Sequence, residues 1–492
     1  MGRPQFLPAG HGFAWHSAVA RVIEEALTKH LPQYHLQQHF YQYTKQGGRS
    51  SLFNKQQYSS EEPNCRARPS SRAVPKRVEL IPASISHTPK ADPATIIVTG
   101  TTGALGTYVI NSLLQLQSEQ VTRIYYFNRL KDAKNGQVKN CQAPSLKTDI
   151  LDDRMIFRDS DLSKQNFRLQ SRAIYDELLN TVMLCLHNTW PVNLNLSLTS
   201  FMPSVDGVIG LIDFAAASPR SPIIQFFSSV SSVNRYPGTE VPEHILPDLG
   251  TPELIDHGQL KYLSERLLDY AAQHLGINTI SVRTRQVAGA ARTATSWNRQ
   301  EWLPSLVASS TFISALPAPI SPPTQVSADE PINWIPMDYL ADVLVELGLN
   351  TKLTASKDNV GAKIYQITHP HAVPRAQLLP AVQQGLRASG MSSELPVIPY
   401  VEWYELLKAK STEAEENTDQ ANAALLAHNH PTMRLMDFFW GMHYQGDSGL
   451  RMKLAMEKTL EVSQTLRNME QLKPEWMAGW TQDWIRAPWR GY

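Results

Sequence analysis

A chain of 492 residues can bury a large core and, by length alone, divides into about three ordinary domains. Its residues are 42% hydrophobic, and Lys+Arg 46 nearly balance Asp+Glu 45. That composition excludes wholesale disorder, a collagen-like chain and a generally basic nucleic-acid binder.

Residues 1–90 hold twelve Lys/Arg against five Asp/Glu, with a Gln/Ser/Pro/Arg-rich run from Gln42 to Pro89, which reads as a basic tail and linker. One amphipathic helix is predicted inside it, over Ala18–Leu31. The start lacks the basic-then-apolar pattern of a secretory signal, and Phe6 stands where a myristoylation motif needs Ser or Thr. No stretch reaches about 18 uninterrupted apolar residues. Cys65, Cys141 and Cys185 are odd in number and widely spaced, so a reducing compartment is expected, with no disulfide framework and no metal site. The expectation is a soluble, cytoplasmic protein with no membrane or nucleic-acid partner.

From Ala94, short β-branched runs alternate with longer helical patterns, the signal for βαβ units. Strands are predicted at Thr95–Val98, Arg123–Phe127, Thr181–Leu186, Ile223–Phe227, Thr279–Arg283 and Lys363–Ile367, and helices at Gly106–Gln117, Val205–Ala217 and Lys261–His274. This is a Rossmann-type α/β plan, a doubly wound parallel sheet over residues 91–345. Beyond about Asp338 the pattern is mainly helical, at Tyr339–Leu349, Arg375–Ala388 and Gly449–Leu466, with a charged loop over Lys410–Gln420. Trp476, Trp480, Trp484 and Trp489 close the chain and read as packing for a smaller, mostly helical carboxyl-terminal substrate lobe over 346–492.

The run Thr99-Gly100-Thr101-Thr102-Gly103-Ala104-Leu105-Gly106 follows the first strand directly and opens a helix. Gly100 permits the tight turn, Gly103 lets the backbone approach a pyrophosphate, and Gly106 lets helix and strand pack closely. Thr99, Gly100, Thr102, Gly103, Leu105 and Gly106 are therefore candidate cofactor contacts. At the end of the next strand, Arg129 stands where an NAD-preferring protein places an acid for the ribose 2′-hydroxyl. A guanidinium suits a 2′-phosphate, so NADPH is expected; a solvated strand-end Arg is the alternative.

From about Ala94 to Trp484, the chain resembles the thioester reductase domains, extended short-chain dehydrogenases, that end fungal adenylate-forming reductases and some nonribosomal peptide or polyketide synthases. The motifs that carry the resemblance follow in order: Thr99 to Gly106, Asn128-Arg129, Asp161-Leu162-Ser163, His187 to Asn193, Phe227 to Val233, Gln286 to Gly289, Trp297 to Ser305 and Asn333 to Asp338. The resemblance implies that an acyl thioester on an acyl- or peptidyl-carrier domain is reduced by NADPH and released as an aldehyde, sometimes as an alcohol, in secondary-metabolite biosynthesis. It also implies a Ser or Thr and a Tyr aimed at the carbonyl oxygen, where charge grows as hydride adds, and a Lys four residues after the Tyr that holds the nicotinamide ribose. Asp161 and Leu162 fall at the adenine position, although Asp161 can equally be a cap; Asn188 falls near the ribose.

Ser229 matches the Ser and Lys261 matches the Lys. Counting back four from Lys261 gives His257, not Tyr, and Gly258 fixes the register. Tyr262 points about 100 degrees away around the helix and is no substitute. An imidazolium at His257 would stabilise an oxyanion, from a side chain shorter than Tyr. Three readings stay open: a working reductase using Ser229, His257 and Lys261; an NADP-binding auxiliary whose hydride transfer is impaired or redirected; and a remnant of a larger synthase. Neither an adenylation domain nor, in residues 1–90, a carrier motif is recognised, so the thioester is expected from another protein in trans, with the basic tail a candidate surface for an acidic carrier.

Overall fold

The computed structural model describes residues 93–129, 134–137, 146, 153–191, 198–248, 250–253, 256–293, 297–318, 331–350, 361–416, 435–441 and 452–486. The tail over 1–90 with its helix at 18–31, Cys65, Cys141, Val192, Asn193 and Trp489 lie outside the described residues. The principal elements in chain order are β1 (Ala94–Thr99), α1 (Ala104–Gln115), β2 (Val121–Asn128), β3 (Met155–Asp159), α2 (Arg172–Thr181), β4 (Leu184–His187), α3 (Leu198–Ala217) and β5 (Ile223–Phe227). They continue with α4 (Asp256–Leu275), β6 (Thr279–Thr284), α5 (Trp302–Ile313), α6 (Met337–Leu349), β7 (Lys363–Ile367), α7 (Arg375–Ala388), α8 (Tyr400–Glu416) and α9 (Pro474–Arg486).

The seven strands are parallel, in the order β7-β6-β5-β4-β1-β2-β3. This is the doubly wound Rossmann-type sheet. The chain fills one side of β1 as far as β3, then crosses to β4 on the other side. That reversal opens a crevice at the carboxyl ends of β1 and β4, where α/β sheets bind ligands. Thr99 pairs with both Phe127 and His187, so the three strand ends stand level.

One face of the sheet is covered by α1 and α6 through Val109, Leu113, Leu340 and Leu344. The other is covered by α2, α3 and α4 through Leu178, Val208, Leu211 and Leu267. Helix α3 contains the stretch Ser200–Ala217, of mean hydropathy 1.3, long and apolar enough by length and composition to cross a membrane; 61% of it is buried, and its apolar side chains fill this second core. A third core joins α5, α7, α8 and α9. There Trp297 meets Trp334, Trp480 and Trp484 edge to face, with ring centroids 5.7, 5.2 and 5.2 Å apart. A Cβ on Gly289 would lie 2.7 Å from the Trp480 ring, so this glycine admits the indole.

Several predicted elements need correction. The pattern missed β3, an edge strand only half-buried over most of its length, and α2, a largely polar helix started by Ser171, whose hydroxyl accepts from Ile174 N. Thr181 ends α2 instead of beginning a strand, its hydroxyl donating to Glu177 O. Helix α8 runs through Lys410 to Glu416 where a loop was expected: Trp403, Tyr404 and Leu407 anchor one face, and the charges are ordinary for the exposed one. Gly449–Leu466 is not one helix. Lys453–Leu454 pairs with Glu240–Val241, and Ser463 separates the short helices Glu457–Val462 and Gln464–Arg467, capping the second through Leu466 N.

Candidate active site

Two of the three glycines permit close approach and one leaves an opening. Gly100 has φ +69°, and a Cβ there would press on Asn188 O at 3.0 Å. A Cβ on Gly106 would sit 2.1 Å from Gly100 O, so α1 reaches β1 only without a side chain. Gly103 caps α1, and a Cβ on it would meet Gly100 O at an ordinary 3.4 Å. Helix α1 has no side-chain cap and no acid in its first turn, so its first N–H groups and the positive end of its dipole are presented to an anion.

The turn opens on a cavity of about 210 Å³ lined by Thr99, Gly100, Thr102, Phe127, Asn128, Arg129, Ser160, Leu162, His187 and Thr189, with Pro203, Ser204 and Gly207 of α3. Predicted Thr99, Gly100, Thr102, Arg129 and Leu162 are on this wall. Gly103 and Gly106 shape the cradle, while Leu105 turns its side chain into the first core. Asp161 makes local capping contacts: its carboxylate accepts from Ser163 N at 3.1 Å and Ser163 Oγ at 2.7 Å. Asn188 meets the cradle through its backbone, its N–H donating to Thr99 Oγ1 at 3.1 Å.

Sequence reading gave no role to His187, Asn128 or Thr189. His187 Nδ1 bonds Thr99 Oγ1 at 2.9 Å, and its Nε2 is buried without a partner among the described residues. Burial, then the charges of Lys261 and Arg129, push its pKa down to about 3, so the ring is neutral. An orphaned ring nitrogen on the wall of a cavity beside an uncapped helix end fits a large polar anion, as a dinucleotide is.

The other end of the crevice is built where β5 gives way to the turn Val230–Ser232. A Cβ on Gly258 would stand 2.7 Å from Ser231 O, so α4 packs onto this turn at a position only glycine allows. That contact brings Ser229, His257 and Lys261 together. Ser229 Oγ accepts from Ser231 N at 3.2 Å and from Ser231 Oγ at 2.9 Å, and Ser231 Oγ meets His257 Nδ1 at 3.2 Å. His257 lies edge-on to Trp190 and Phe201. Burial, then Lys261, lower its pKa to about 3. The expected imidazolium is therefore corrected to a neutral ring.

Lys261 Nζ donates to Phe227 O and sits 4.3 Å from the Trp190 ring centroid and 4.6 Å from that of Phe226. Burial holds its pKa well below the usual Lys range, opposed by Glu265. Tyr262 points away, its hydroxyl donating to Leu246 O at 2.7 Å. The turn is bracketed from below: Glu265 Oε1 accepts from Ser228 Oγ at 2.6 Å and Ser232 Oγ at 2.8 Å. Its other oxygen pairs with Arg283 at 2.7 Å, both side chains being fully buried.

Residues 98–344 match the NAD-binding family described as Male sterility protein. The chain belongs to the male sterility protein family. This family consists of NAD(P)-dependent reductases, and a nicotinamide cofactor accounts for the cradle. Relatives of this male sterility family chain include a carboxylic acid reductase of Neurospora crassa, 32% identical over 79% of this chain and 35% of that protein. Another is an adenylate-forming reductase of Heterobasidion annosum, 28% identical over 82% of this chain and 36% of that protein. The chain thus spans about a third of the length of these relatives. In fold it is similar to the terminal R domain from the myxalamid PKS-NRPS biosynthetic pathway, with TM-score 0.61, 20% identity, and coverage of 79% of this chain and 90% of that one.

Proposed function

We propose that this protein is an NADPH-dependent reductase that releases a carrier-bound acyl thioester as an aldehyde or alcohol in secondary metabolism. The observation that carries the proposal is that Ser229 follows β5 and Lys261 binds the carbonyl of Phe227 at the end of β5, the strand next to β4, whose His187 lines the cavity at the α1 turn. In this reading Gly100, Gly103 and the amino end of α1 hold the pyrophosphate, Arg129 takes the 2′-phosphate, and Leu162 lies along the adenosine. Asn188 and Lys261 serve the nicotinamide ribose. When bound, the cofactor supplies hydride.

Ser229 donates a hydrogen bond to the thioester oxygen as charge develops there, and His257 supports it in place of the family's Tyr. The third core, including the Trp297–Ser305 run, is the substrate lobe. Glu301 in that run is held in place by Trp297 Nε1 at 3.0 Å and Gln286 Nε2 at 2.8 Å, and burial raises its pKa to about 7. Delivery of the thioester by a separate carrier protein is part of the proposal.

The test is NADPH oxidation and aldehyde formation with acyl-pantetheine and with a separately purified acylated carrier. Wild type is expected to turn over, and Ser229→Ala to lose about 100-fold or more in kcat with the NADPH Kd unchanged. If only His257→Tyr is active, the protein is instead an impaired NADP-binding auxiliary. If neither oxidises NADPH with any thioester, the reductase reading fails.

A further inference from the structure

We propose that Ser231 is a proton relay between His257 and Ser229, so that the histidine acts on the substrate through two hydroxyls instead of touching it. The inference rests on the reductase reading above and adds to it a positioning residue and a direction of proton flow.

With Ser231 Oγ donating to Ser229 Oγ, the remaining directions follow from counting hydrogens. Ser229 Oγ accepts twice from one residue, from Ser231 N at 3.2 Å and from Ser231 Oγ at 2.9 Å. Its own hydrogen is left to be donated into the crevice, where Ser229 is half-buried. Ser231 has a single O–H, and that is given to Ser229. The remaining contact of Ser231 Oγ, at 3.2 Å to His257 Nδ1, therefore has the ring as donor. The tautomer carries its hydrogen on Nδ1, and every link points the same way, from ring to Ser231 to Ser229 to substrate.

This arrangement explains how a ring shorter than a Tyr side chain can stand at the Tyr position. The reach that is missing is supplied by Ser231, which is 6% exposed. The fold holds the relay rigidly. Gly258 lets α4 approach to where a Cβ would be 2.7 Å from Ser231 O, and Glu265 fixes the flanking Ser228 and Ser232. Tyr262 is committed elsewhere, to Leu246 O.

The step balances. Hydride from reduced nicotinamide adds to the thioester carbonyl carbon, and the C=O π pair becomes charge on oxygen. That oxygen takes the Ser229 proton, Ser229 takes the Ser231 proton, and Ser231 takes the proton from His257 Nδ1. His257 is half-buried, and its Nε2 takes a proton from solvent as Nδ1 gives one up. When the hemithioacetal collapses, its O–H proton returns along Ser229 and Ser231 to Nδ1, Nε2 gives its proton back to solvent, and the C=O bond re-forms as the C–S bond breaks. The departing thiolate takes a solvent proton, so the net change is hydride on carbon, one solvent proton on sulfur and no altered residue.

The test combines a readout on the cofactor-free protein with turnover. In the histidine ring 15N spectrum, His257 is expected as the Nδ1–H tautomer, and Ser231→Ala is expected to shift its signals. The same variant is expected to lose about 100-fold in kcat, with NADPH Kd and melting midpoint as in wild type, and Ser231→Thr is expected to restore most of both. An active wild type whose Ser231→Ala variant keeps full turnover and an unmoved His257 spectrum overturns the relay alone. Loss of turnover that Ser231→Thr fails to rescue, with His257 unmoved, also overturns it. A wild type inactive with every thioester overturns the reductase reading and the relay together.

Discussion

The two ends of the crevice are made of different material. At the cradle, the groups offered to an anion are backbone N–H groups, and side chains matter there mainly by being absent, at Gly100 and Gly106. At the other end the candidate groups are side chains, Ser229, Ser231, His257 and Lys261, carried by two elements that touch at Gly258. A backbone site tolerates no substitution at its contact points. A side-chain site can exchange one donor for another if a neighbour makes up the reach, the role proposed for Ser231 beside His257.

That contrast can be broken most forcefully at the cradle. In Gly106→Ala the new Cβ would start 2.1 Å from a carbonyl oxygen, so roughly 3 kcal/mol of stability and all measurable NADPH binding should be lost. Chemical denaturation and cofactor titration read both effects; a stable variant with normal affinity would show that the turn is softer than its geometry.

An intermediate effect is expected from Arg129→Ala, the one substitution at this end that removes a side chain's charge and not backbone room. It should weaken NADPH binding about 10- to 100-fold and leave NADH binding nearly unchanged. Isothermal titration with the two cofactors checks this, and equal losses for both would remove the 2′-phosphate role.

The smallest effect concerns acid. His187 and His257 both titrate near 3 in the folded protein and near 6.5 when unfolded, so folding holds each in its neutral form. Their contribution is fully present above about pH 6.5 and is lost as pH falls toward 3. Between pH 7.5 and 5.5 each should account for about 1.4 kcal/mol of lost stability. Urea unfolding at the two pH values measures the loss, and His257→Tyr should recover one share of it.

What was legible in the sequence divides along the same line. The strands Ile223–Phe227 and Lys363–Ile367 are buried runs whose bounds the apolar pattern marks, and the cradle is legible because only glycine meets the backbone demands at Gly100 and Gly106. Met155–Asp159 was not, since an edge strand does not need a continuous apolar run. His187 and Ser231 were quoted within motifs yet given no role. Their partners lie 88 and 26 residues away, and only folding brings Thr99 and His257 within hydrogen-bond distance of them.

The buried Glu265–Arg283 pair has a consequence for how the two ends respond to salt. Both side chains are fully enclosed, so dissolved ions do not screen their attraction, and the serine turn they brace keeps its shape as ionic strength rises. Arg129 is exposed, and its pull on a phosphate is screened over roughly 8 Å at physiological salt. On the proposed function, salt therefore acts on how often a cofactor is captured and leaves the serine turn untouched.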